Sequence, residues 1–195
     1  MMDLHSFSHG QVISKIWLCE ELEKYCKHDD NIYILGGWHN VLGFMLSVRK
    51  PNFFKRIQNV DINNEVIEFS NSICDAWINV MHSESHIINT CADANDYELY
   101  LNNKTDIVVN CSVEHFTSNE WFDKLPPNTL VCIQSTDIKN KEIIDSVETF
   151  VQNQPNKDFA TLLNRFPMKE YLYTGTKTFE YPTLEYNRFM MIGRK

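Results

Sequence analysis

Ile32-Tyr33-Ile34-Leu35-Gly36-Gly37-Trp38-His39-Asn40-Val41-Leu42-Gly43 is the stretch on which the fold turns. Four apolar residues end abruptly on two glycines, and apolar residues at helical spacing follow. The first part reads as a short strand buried on both faces, as in a parallel sheet. Gly36 and Gly37 permit a tight turn and let a ligand approach the backbone without a Cβ in the way. The helix from Val41 to Val48, stopped by Pro51, aims its free amides and positive dipole end at the same spot. The segment is therefore either an anion-binding strand–turn–helix or a tight turn with no ligand.

The same alternation continues on both sides. Ser8 with Gln11 fits a capping box ahead of a helix that runs to about His28. Arg56–Val60 is a second strand, closing at Asp61, and Asn63 caps a helix from Glu65 to about Met81. His86–Cys91 is a third strand, followed by a short helical piece over Tyr97–Leu101. Ile107–Cys111 is a fourth strand, Ser118 or Asn119 caps a short helix through Phe122, and Pro126-Pro127-Asn128 is a turn. Thr129–Gln134 is a fifth strand, Glu142–Val151 a helix and Gln152–Asp158 a polar loop. Lys169–Thr178 and Glu185–Ile192 alternate polar and apolar residues like an antiparallel hairpin. Five β-α units and a hairpin predict an α/β, doubly wound, mostly parallel seven-stranded sheet. No repeat or linker interrupts residues 1–195, which read as one domain.

Composition narrows the function classes. The chain has 195 residues, 43% of them hydrophobic, and a formal net charge of −8. An acidic chain with scattered basic residues does not favour nucleic acid, and the expected partner is a small molecule. No apolar run is long enough to span a membrane, and no leader pattern is visible, so a cytoplasmic protein is expected. The six cysteines form no CxxC pair and several lie in apolar runs, which suits small buried residues in a reducing compartment. His82 and His86 have i, i+4 spacing across a helix–strand junction, so no metal site is expected.

In open α/β sheets, ligands bind beyond the carboxyl ends of the strands, where the strand order reverses. That rule selects Gly36–Gly43, Asp61, Asp93, Asn110–Phe116 and Gln134–Asp137. Asp61, about 25 residues past Gly36, can accept both hydroxyls of a ribose or serve as a turn residue. Asp93 can accept from an adenine amino group or do the same bland work. Taken together they describe an adenosine site. In Asn110-Cys111-Ser112-Val113-Glu114-His115, Glu114 and His115 offer a carboxylate and an imidazole for general-base work or substrate orientation; the alternative is loop bonding and capping. Trp38 and His39 either line the ligand or, for His39, sit exposed in the loop.

These residues resemble the class I S-adenosylmethionine (SAM) methyltransferases, with a Rossmann-like fold. The resemblance makes Gly36–Gly43 the glycine loop, Asp61 the ribose-binding acid, Asp93 the adenine-side acid and Asn110–His115 the catalytic segment. Closer wording is shared with a small methyltransferase-like group of phage and bacterial sequences: His9-Gly10-Gln11, Trp17–Leu22, Ile34–Trp38, Glu114-His115, Gln134-Ser135, Arg188–Met190 and Ile192–Lys195. The resemblance implies SAM as cofactor, held by Gly36, Gly37, Trp38, His39, Asp61, Asp93, Asn110 and Gln11, with His115 and Glu114 catalytic. The chain departs from the family where an acid normally closes the first strand, because Leu35 stands there. Asn110, Gln11 or Lys15 would have to meet the methionine amino group. A non-catalytic binding protein on the same fold is the alternative that this departure favours. A nicotinamide-dependent oxidoreductase fits less well, since G-x-G-x-x-G is absent and the terminal hairpin is foreign to it.

Overall fold

A computed structural model describes residues 4–81, 86–96, 104–138, 156–181 and 184–195. Seven strands form one sheet: β1 (Asn31–Leu35), β2 (Arg56–Asp61), β3 (His86–Cys91), β4 (Ile107–Asn110), β5 (Leu130–Thr136), β6 (Glu170–Tyr181) and β7 (Leu184–Arg194). Their order is β3-β2-β1-β4-β5-β7-β6. Neighbours among β1 to β5 run parallel, and β7 runs antiparallel to both β5 and β6. This is the expected mostly parallel sheet with a closing hairpin.

The helices are α1 (His9–Leu22), α2 (Val41–Arg49), α3 (Asn64–Met81), α4 (Glu120–Asp123) and α5 (Phe159–Arg165), with 3-10 turns at Leu4–Phe7 and Val113–His115. Every residue of β1 is buried, as a central parallel strand requires. Alternate strand residues feed two apolar layers. Ile32, Ile34, Val109, Cys132 and Met190 pack with Leu18 and Leu22 of α1 and Leu46 of α2. Tyr33, Leu35, Val108, Ile133 and Met191 pack on the other face with Trp121, Phe122 and Phe166. Trp17 joins the first layer, its Nε1 donating to Tyr173 Oη at 3.1 Å.

The local chemistry differs from expectation in three places, at α1, at α5 and at Cys91. Ser8 makes no side-chain cap, and α1 ends at Leu22 rather than near His28. Helix α5 was not legible, since seven residues are too few for a periodic signal; Asp158 starts it by accepting from Thr161 N at 2.7 Å. Cys91 is exposed rather than buried. Phe53 and Phe54 precede β2 and pack at the amino end of the sheet, away from any ligand site at the carboxyl end; Phe53 accepts the Asp29 amide there. Asn63 does cap α3, accepting from Glu65 N at 3.0 Å. The helices expected over Tyr97–Leu101 and Glu142–Val151, residues 152–155 of the polar loop, and His82 lie outside the described residues.

Candidate active site

The chain winds outward from β1 to β3 on one side and from β4 onward on the other, so the order reverses between β1 and β4. The carboxyl ends of these two strands therefore carry the candidate site.

At β1, Gly36 takes φ +58, the left-handed region, and Trp38 (φ 53) and Asn40 (φ 55) do so too. A non-glycine residue there costs on the order of 1 kcal/mol, so the loop must be held by its surroundings. It is. Trp38 N donates to Asp61 Oδ2 at 3.0 Å, and Trp38 O accepts from Asn59 Nδ2 at 3.1 Å and Ser70 Oγ at 3.3 Å. Asn40 Nδ2 donates to Asn89 Oδ1 at 2.9 Å. Gly37 has no room for a side chain, because a Cβ would overlap the Asn59 amide. This asparagine framework was not anticipated. Its signal was Asn59 inside an apolar strand, a polar residue that must find a buried partner.

Asp61 thus ties β2 to the glycine loop. Its other oxygen accepts from Asn63 N at 3.0 Å. Each carboxylate oxygen has one backbone donor and keeps acceptor capacity for a second. Asp93 is exposed and accepts from Asn95 N at 2.8 Å; Asn95 Oδ1 in turn accepts from Ser118 Oγ and Trp121 N. His39 is not an exposed loop residue. It is 2% exposed, bonded through Nδ1 to Ser6 Oγ at 3.0 Å and stacked on Trp38, because the Leu4–Phe7 turn covers it.

At β4, Asn110 is fully buried. Its Oδ1 accepts from Ser112 N at 2.9 Å, while Nδ2 has no partner among the described residues. Ser112 Oγ donates to Gly36 O at 3.1 Å, so the β1 and β4 loops are joined directly. Glu114 is buried and accepts from Ser135 Oγ at 3.2 Å; Asn156 Nδ2 donates to the same hydroxyl at 2.7 Å. The half-buried His115 follows on the same turn.

On the α1 face, Gln11 Oε1 accepts from Lys15 Nζ at 2.9 Å, which takes Gln11 out of the expected capping box. Lys15 is buried, and desolvation pulls its amine down to about 8, with Arg188 of β7 pushing the same way and the Cys111 and Cys19 sulfurs opposing. Burial pushes the Cys111 thiol up to about 11. In the sequence Arg188 stands out only through the resemblance carried by Arg188–Met190. Its signal was a charge in register with apolar Met190 and Ile192 on one face of a strand.

A cavity of about 400 Å³ lies at the opposite, amino end of the strands, lined by Asp30, Asp106, Thr129 and Arg194 among others. It lies at the other end of the strands from the reversal and its loops, so the carboxyl-end cluster is the better candidate. Among the described residues no three metal-ligating side chains converge, and no helix is long and apolar enough to cross a membrane.

No family model matches this chain, and no curated protein matches it in sequence. Solved structures do match. A SAM-dependent methyltransferase from Methanosarcina mazei is 13% identical with a TM-score of 0.67, spanning 90% of this chain and 96% of its own. The N-methyltransferase NodS from Bradyrhizobium japonicum is 10% identical at 0.63, spanning 96% and 99%. Magnesium protoporphyrin IX methyltransferase from Synechocystis, with S-adenosylhomocysteine (SAH) bound, is 10% identical at 0.59, spanning 95% and 83%. At these identities the likeness is one of fold: the chain has the Rossmann-like α/β architecture on which these methyltransferases are built.

Proposed function

We propose that this chain is a SAM-dependent methyltransferase acting on a small-molecule acceptor. The observation that carries the reading is the bond from Trp38 N to Asp61 Oδ2, which fixes the glycine turn and a carboxylate with spare acceptor capacity as one unit at the strand reversal. The single domain, 1–195, is assigned to that activity.

The residues suit the cofactor. Asp61 takes the ribose hydroxyls, Asp93 the adenine edge, and Gly36, Gly37 and Trp38 the path between them. His39 supports Trp38 from below by stacking. Asn110 Nδ2, without a partner among the described residues, is a buried donor for the methionine end, and Gln11 is assigned to the same end. SAM supplies an electrophilic methyl group when bound. The protein's task is then to place the acceptor in line and handle its proton. His115 is assigned as the base, and Glu114, held by Ser135, as the carboxylate that orients the acceptor or the imidazole. A small acceptor is supported by the buried character of the β4–β5 end and by the net charge of −8, which opposes a polyanion.

SAH should raise the melting temperature of the chain, and Asp61→Ala should weaken its binding. An unchanged melting temperature at millimolar SAH would refute the proposal. Leu35, fully buried where an acid usually stands, favours a second reading in which SAM is bound but not used. SAH binding without label transfer from methyl-labelled SAM to any fraction of cell extract would select it.

A further inference from the structure

Two cations are buried at the carboxyl end of the sheet, and among the described residues no acid answers them. Lys15 of α1 is 8% exposed and Arg188 of β7 is 5% exposed. They repel one another, and both act on Cys111 just beyond β4. Lys15 Nζ donates to the neutral Gln11, and Arg188 Nε is buried with no acceptor among the described residues. Arg188 also bonds the Tyr186 hydroxyl, a neutral group. Among the described residues neither cation is paired with a carboxylate.

Isolated buried charges are costly, and two like charges together cost more than either alone. Such a violation is expected where a ligand completes the arrangement. The place of the pair says which ligand. The glycine turn and Asp61 belong to β1 and β2. Arg188 pairs with Thr136 of β5, and β7 stands three strand steps from β1, roughly 14 Å at the usual strand spacing. A nucleoside anchored at Asp61, with its reacting end over β4, leaves Arg188 on its far side. There the wall is aromatic. Tyr186 and Tyr181 stack at 6.1 Å, and their hydroxyls occupy the space that a side chain at Gly10 would fill.

We propose that Lys15 and Arg188 form an anion-binding subsite for the methyl acceptor, which is therefore a small molecule carrying a carboxylate or a phosphate. This rests on the methyltransferase reading. The guanidinium supplies a planar fork and the amine a point charge, a combination suited to either group.

The test uses the full chain saturated with SAH and titrated with benzoate, phenyl phosphate and the neutral benzamide, followed by melting temperature and calorimetry. At least one of the anions should bind and benzamide should not. Arg188→Gln and, separately, Lys15→Met should weaken the anion by roughly tenfold or more, and in Arg188→Gln, which leaves the Lys15–Gln11 bond in place, SAH affinity should change by less than about threefold. Lys15→Met removes one of two repelling charges, so it stays folded even if Arg188→Gln does not. The proposal is overturned if neither anion binds the parent chain, or if Lys15→Met binds it unchanged. It is also overturned if Arg188→Gln loses SAH as steeply as the anion, which would assign the pair to the cofactor's own carboxylate. A parent chain that takes the anion but never SAH would instead sink the methyltransferase reading.

Discussion

At the β1–β2 end, the loop and its acid hold each other: Asp61 accepts two backbone amides, Trp38 O accepts two side-chain donors, and the buried oxygens left without a partner among the described residues, Asn40 Oδ1 and Asn59 Oδ1, are uncharged acceptors. At the β4–β7 end, Lys15, Arg188 and Asn110 are buried with donors to spare. The first end is preorganised and pays its own conformational strain. The second carries an electrostatic cost that an incoming group can relieve. The contrast suggests that one end is built for a ligand always of the same shape, and the other for one recognised by charge.

The sharpest way to break this contrast is to remove the buried amine. Lys15 holds its proton only to about 8 in the folded chain, against an ordinary 10.5. Between those values the unfolded chain binds a proton that the folded chain lacks, so stability rises with pH there; the full cost is present below 8. Lys15→Met should therefore stabilise the chain by about 3 kcal/mol near pH 7, with the gain fading toward pH 10.5. Denaturant midpoints of variant and parent at both ends of that range check it. A half-buried thiol that Lys15 does not touch, such as Cys26, has a raised value that acts in the opposite sense and cancels in the difference.

The next effect belongs to the β1–β2 end. Gly37→Ala drives a Cβ into the Asn59 amide and against Ile34. It should cost about 2 kcal/mol by overpacking and weaken SAH with it; urea unfolding and SAH titration read the two losses together. Asp61→Ala follows. Losing both loop anchoring and ribose contacts, it should weaken SAH about tenfold, near 1.4 kcal/mol, by calorimetry. The smallest change touches neither end. Tyr173→Phe leaves Trp17 Nε1 without its acceptor and should cost about 1 kcal/mol in thermal unfolding, with SAH affinity unchanged. If it altered SAH binding as Asp61→Ala does, the two ends would not be separable from the hydrophobic layer between them.

Much of the β1–β2 end could be read from the chain. Ile32–Leu35 before two glycines, and Asp61 at the end of an apolar run, are local patterns, and local patterns survive folding. The hairpin alternation was equally visible. Arg188 and Lys15 belong to different elements far apart in sequence, and what makes them notable is the missing counter-charge, which no spacing encodes. Of the two readings of His39, the exposed one fails for a similar reason: the turn that buries it, Leu4–Phe7, is a separate segment whose docking carries no periodic signal. Helix α5 was hidden by its brevity, although Asp158 marked its start.

The hairpin has a consequence for how the chain acquires its shape. Strand β7 lies between β5 and β6, so β6 has no partner in the sheet until β7 has inserted. Until then β5 presents an open hydrogen-bonding edge with a wholly buried composition, the kind of surface that recruits other chains. Closing it depends on contacts distant in sequence, which form slowly. The interval before β7 docks is thus the window in which this protein is most prone to aggregate, and chaperone dependence should track the stability of the hairpin rather than that of the ligand-binding end.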